Sequence, residues 1–156
     1  MKPPRRTAAA LVPELDVTDL DESLRFYVDV VGFGVVFERD AERFAYLARE
    51  DAELMLPEAA GPGRRFRTAP LKRPFGRGVN LQIAVGDVDA VSASVLRGGL
   101  EPILPIEERW YEVEVVRVSG RWDMAGPMRT GNRQFVVADP DGYLLRIITG
   151  LGVEPR

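Results

Sequence analysis

Val17-Thr18-Asp19-Leu20-Asp21 has a second copy further along the chain, Val85-Gly86-Asp87-Val88-Asp89, and this repeat decides the fold. Each copy follows an alternating apolar stretch and opens an amphipathic one, so each reads as a strand running into a capped helix. Before the first copy, Leu11, Pro13, Leu15 and Val17 alternate with Val12, Glu14 and Asp16; before the second, Val79, Leu81, Ile83 and Val85 alternate with Asn80, Gln82 and Ala84. The apolar side of such a strand is for helices to cover, and the other side faces a cavity or water. At each helix start an aspartate can accept from the free N–H groups of the first turn. Asp19 with Glu22 makes a start like a capping box, and Leu20, Leu24, Tyr27 and Val31 recur at helical spacing as far as Gly32. Val88, Val91 and Val95 keep the same rhythm up to Gly98-Gly99.

Three strands are predicted after the first helix, Val35–Arg39, Phe44–Arg49 and Ala52–Pro57, with polar turns at 40–42 and 50–51. After the second come Pro102–Ile106, a segment around Tyr111–Val118, Arg133–Ala138 and Tyr143–Ile148. Asp139-Pro140-Asp141-Gly142 joins the last two as a tight hairpin, since proline presets φ and glycine closes the turn. The chain is therefore an α+β protein of two βαβββ modules: a tail at 1–9, then one domain at 10–150. Module one takes 10–60, a Gly/Pro-rich connection takes 61–78, and module two takes 79–150. Residues 112–131 lengthen module two and read as an extended ribbon or loop.

Composition removes several kinds of chemistry. The 156 residues contain no histidine and no cysteine, which excludes disulfides, thiolate sites and Ser/His/Asp or Cys/His catalysis. A 46% hydrophobic content fills a core, and the formal charge of -3 recruits neither nucleic acid nor an anionic membrane. The connection carries Arg64, Arg65, Arg67, Lys72, Arg73 and Arg77 with Phe66 and Phe75, a mixture that can bind nucleic acid but fits a solvated loop at a cleft better in an acidic chain. The apolar run before Pro13 is shorter than the ~7 residues of a signal core. No run reaches the ~18 apolar residues of a membrane span. A soluble, cytoplasmic protein is expected.

The two modules, the strand–Asp-[Leu/Val]-Asp–helix starts and the closing Asp139-Pro140-Asp141-Gly142-Tyr143-Leu144-Leu145-Arg146 resemble the vicinal oxygen chelate superfamily, the glyoxalase, bleomycin-resistance and extradiol-dioxygenase fold. Gly61-Pro62-Gly63-Arg64-Arg65, Arg73–Asn80 and Glu107-Glu108-Arg109-Trp110-Tyr111 are similar to its bleomycin-resistance branch. The resemblance implies a cupped mixed sheet with helices on its outer face, a homodimer, and in the metalloenzymes a divalent ion held by His, Gln or Glu. At the corresponding positions, seven residues before Asp19 and Asp87, stand Val12 and Asn80, and Arg146 occupies the final-strand position. Valine has no lone pair to offer, asparagine is a weak ligand, and arginine repels a divalent ion. Only Glu53 is left as a donor, so no metal and no cofactor are expected.

On the face that the resemblance makes the cup sit Glu14, Asp16, Glu53, Asn80, Gln82 and Arg146, expected to line a small-molecule site. The alternative is a solvated surface on which Glu53 and Arg146 simply pair. Phe44, Tyr46, Phe66, Trp110, Tyr111, Trp122 and Phe135 could wall a planar ligand, although strand aromatics usually fill cores; Trp110 and Tyr111, in a charged segment, are the ones assigned to the site. The function expected is sequestration of a small molecule, with bleomycin-class glycopeptides as the implied ligands and no catalytic residue. The rival expectation is an isomerase, epimerase or lyase that uses the cup carboxylates, with Glu53 foremost.

Overall fold

Both aspartates cap helices as the repeat requires. In the computed structural model, which describes residues 9–114 and 127–156, Asp19 accepts from the N–H of Glu22 and Asp87 from that of Ala90, each at 3.0 Å. The first cap opens α1 (Leu20–Leu24) and the second α2 (Val88–Arg97). The chain beyond α1 continues as a π-helical stretch, Arg25–Val30. This wider turn buries Phe26 and Tyr27 next to each other, with Tyr27 edge-on to both Phe26 and Phe33. Gly32, at φ +88, ends the helix in the left-handed region, where only glycine is free of strain.

In module one β1 (Gly34–Arg39), β2 (Phe44–Arg49) and β3 (Ala52–Pro57) form an antiparallel meander with the predicted turns. The strand expected ahead of α1 is reduced to two parallel bridges, Glu14 to Met55 of β3 and Val17 to Glu58 just beyond it. Pro13 supplies a carbonyl to Met55 but has no N–H for the ladder, and Leu11 projects into solvent at 83% exposure.

Module two repeats the plan with β4 (Asn80–Ala84), β5 (Leu104–Glu114), β6 (Pro127–Ala138) and β7 (Leu144–Pro155) in the order β4-β7-β6-β5, with β4 parallel to β7. Of two expected strands, at 102–106 and around 111–118, residues 104–106 and 111–114 are parts of the single strand β5. A register shift between Leu104 and Glu107 lets the ladder run through without a turn. Residues 112–114 and 127–131 are strand, while residues 115–126, with Trp122, and residues 1–8 lie outside the described residues.

One hydrophobic core serves both modules. Leu15, Val17, Leu47, Leu54 and Leu56 of module one join Ile83, Val85, Phe135, Leu145 and Ile147 of module two around Tyr27, Val31, Val88 and Val95. The closing turn of module two locks the modules together. Asp139 accepts from the N–H groups of Asp141 and Tyr143 and from the Tyr27 hydroxyl at 2.9 Å, and Asp141 accepts from both the N–H and the hydroxyl of Thr18. Both carboxylates are buried, and burial raises the Asp139 pKa. Among the described residues no helix is long and apolar enough to cross a membrane.

Candidate functional site

Strand register shows which positions in the two modules correspond. Val17 donates its N–H to the Pro57 carbonyl at 2.9 Å, and Val85 donates to that of Ile148 at 2.8 Å. Counting back from these bonds, Glu14 opposite Met55 matches Gln82 opposite Arg146. The counterpart of Arg146 is thus Met55, and Glu53 lies one pleat away, matched with Leu144. Sequence alone missed this because the hairpin turns of the modules differ in length.

Module one's open face carries Phe37, Phe44, Tyr46, Glu53 and Met55, with Glu14 at its edge. Phe37 stacks on Tyr46 at 5.0 Å and on Phe44 at 6.1 Å, and the Arg39 guanidinium covers Phe44 at 4.1 Å. Tyr46 donates to Glu53, and this bond raises the tyrosine pKa. Glu14, Arg39, Glu42, Phe44, Met55, Arg64 and Phe66 line an open groove of about 500 Å³. Asp16 faces the connection instead, paired with Arg67 at 2.9 Å and Arg65 at 3.8 Å. Most of the connection's basic side chains are held in the same way. Arg65 bonds the Glu58 and Glu42 carbonyls, Arg73 bonds Asp141, and Arg77 bonds the Pro74 and Arg73 carbonyls.

Module two's open face is built around Arg146. Its Nε donates to Gln134 Oε1 at 2.9 Å, and its Nη2 donates to the same oxygen at 2.5 Å and to the Tyr111 hydroxyl. Gln134 Nε2 donates to Glu107 at 3.1 Å and to Tyr111 at 3.1 Å. Gln82 is the register partner of Arg146, and Asn80 sits one pleat further along β4. Trp110 lies on the opposite face from Tyr111, against Gly131 and under Arg129 at 5.1 Å. A second groove of about 460 Å³, with Asn80, Ala138 and Leu144 among its walls, borders this face.

Tyr111, Arg146 and Gln82 therefore share one sheet, while Glu14 and Glu53 lie on the other. Among the described residues Glu53 and Arg146 make no ion pair with each other. Gln134 and Glu107 were not found from sequence. The only signal was a glutamine entering the apolar run Phe135-Val136-Val137, where it is 3% exposed.

The metal position fails on its chemistry. Val12, Asn80, Met55 and Arg146 offer no carboxylate, and Arg146 adds a cation anchored by two neighbours. Among the described residues no three acidic side chains gather to hold an ion.

Paired βαβββ modules with this altered site define a glyoxalase-fold protein. The chain belongs to the Glyoxalase/Bleomycin resistance protein/Dioxygenase superfamily, which its sequence matches over residues 12–147. It is 28% identical over 141 residues to a bleomycin resistance protein of Geobacillus stearothermophilus, covering 86% of this chain and 91% of the relative. Bleomycin resistance proteins of Staphylococcus aureus show the same identity and coverage. Its fold is similar to that of TioX from Micromonospora sp. ML1, with a TM-score of 0.63 and 21% identity over 92% of this chain and 100% of the other. A glyoxalase/bleomycin resistance protein/dioxygenase from Alicyclobacillus acidocaldarius aligns with a TM-score of 0.55 and 16% identity, over 97% and 96%.

Proposed function

We propose that the protein binds a small organic molecule on its open sheet faces and acts by sequestration without turnover, with bleomycin-class glycopeptides as the first ligands to test. The observation that carries this reading is Arg146, a guanidinium fixed by Gln134 and Tyr111 at the position where the family's metalloenzymes place a ligand. Sequestration needs a fitted surface and no reacting group. The stacked Phe37, Tyr46 and Phe44 with Glu14 and Glu53 suit a planar, cationic moiety. The distant bleomycin-resistance relatives support the same ligand class. The reading takes the protein as a cytoplasmic homodimer with Glu14, Asp16, Glu53, Asn80, Gln82, Tyr111 and Arg146 at or around the ligand; Asp16 would act through the arginines it holds, and Trp110, on the opposite face, is not among them.

Titration calorimetry with metal-free and copper-loaded bleomycin tests this. Saturable heat with both forms is the expected result. No heat with either at high micromolar concentration removes the drug class.

A further inference from the structure

Among the described residues Arg146 is a charge without a counter-charge. Both acceptors of its guanidinium, the Gln134 amide and the Tyr111 hydroxyl, are neutral. Among the described residues no carboxylate lies within salt-bridge distance of it, and its Nη1 donates to no protein atom. The one acid in the network, Glu107, is kept beyond Gln134, whose NH₂ it accepts from while the oxygen of the same amide turns to Arg146. The amide is nearly fully buried and cannot swing away to expose either end. By register Arg109 shares the face with Glu107 and Tyr111, so the β5–β7 face carries two arginines against one carboxylate. The part contributed by β4 is uncharged, with the amides of Asn80 and Gln82 exposed.

A half-buried guanidinium with neutral partners and a free N–H edge is arranged to receive an oxyanion. With Nε and Nη2 engaged by Gln134 and Tyr111, the free Nη1 can donate to one oxygen of a carboxylate, and the two flanking amides can donate to the other. The buried Gln134 and the half-buried Tyr111 fix the guanidinium before any ligand arrives, which lowers the ordering cost of binding.

We propose that this face is a carboxylate subsite, in which Arg146, oriented by Gln134 and Tyr111, takes a carboxylate group of the small molecule. The proposal rests on the reading of the open sheet faces as the ligand surface. It adds that the natural ligand carries an acid group, which the aromatic, acidic face of module one does not ask for.

The probes are benzoate, benzamide and benzylamine, which share a ring and differ in charge and donors. Binding is followed through the Arg146 Nε–Hε resonance of ¹⁵N-labelled protein, assigned by its loss in R146Q. Benzoate is expected to shift this resonance saturably and the other two to leave it in place. R146Q, read from the Tyr111 ring resonances, should weaken benzoate about tenfold or more. Q134E, which supplies the missing counter-charge while keeping Arg146, should weaken it comparably, with both variants checked for an unchanged melting profile. The proposal is overturned if benzamide or benzylamine shifts the resonance as benzoate does, or if benzoate binding survives in whichever variant folds. No heat with bleomycin alongside Arg146-dependent benzoate binding removes the drug class and keeps the subsite; bleomycin binding without any preference for benzoate does the reverse.

Discussion

Tyr27→Phe removes one oxygen from the centre of the molecule and exposes what holds the modules together. The Tyr27 side chain is fully buried, and its hydroxyl donates to Asp139 at 2.9 Å. Phenylalanine fills the same space, so the loss is the hydrogen bond to a buried carboxylate, about 1.5–3 kcal/mol. For a chain of 156 residues, ~2 kcal/mol lowers the melting temperature by roughly 4–8 °C. The loss should depend on pH. Burial raises the folded-state pKa of Asp139 above its unfolded value, so in the wild type this group lowers stability as pH rises from the ordinary carboxylate range through the folded pKa. The Tyr27 hydroxyl opposes the rise, and removing it pushes the pKa higher and widens that window. Urea unfolding of wild type and variant at about pH 7 and about pH 4 should therefore show a larger stability difference at the higher pH. A difference below about 0.5 kcal/mol at neutrality, or one that is the same at both pH values, would refute the assignment of Asp139 as a buried carboxylate held by Tyr27.

Gly142 sits at φ +99, and an added Cβ would lie 2.5 Å from Pro74 Cβ, so Gly142→Ala strains the closing turn and displaces the connection at once. A stability loss of about 2 kcal/mol or more is expected in urea, with loss of hydrogen-exchange protection at the Phe75 N–H, which bonds Asp141. Leu56, fully buried in the shared core, should cost about 2–5 kcal/mol as Leu56→Ala, with fluorescence and circular dichroism falling in one transition. Two separated transitions would mean that the modules unfold independently.

Much of the fold could be read from the residues because local signals and tertiary packing agree. Asp19 and Asp87 cap helices, β2 and β3 have the expected bounds, and the Asp-Pro-Asp-Gly segment turns the chain as its residues require. What could not be read depends on partners distant in sequence. Pro13 shortens a strand that its alternation promised, and the ribbon carries β5 through the apparent break between Ile106 and Tyr111. The π-helical turn at 25–30 keeps the apolar spacing of an α-helix while changing which residues meet. Arg146 was recognisable as foreign to a metal site from its place after the turn. Its partner Gln134, and Glu107 beyond that amide, belong to other strands, and only the register of β5, β6 and β7 reveals them.

The bond from Tyr27 to Asp139 has a consequence for the repeat itself. A helix of the first copy supplies the hydroxyl that a carboxylate of the second depends on, and Thr18 at the start of the first helix does the same for Asp141. The halves are therefore not self-sufficient. Cut apart at the connection, either one would leave acids or aromatic surface facing the wrong medium, and recovering the native form would require the two fragments to find each other again.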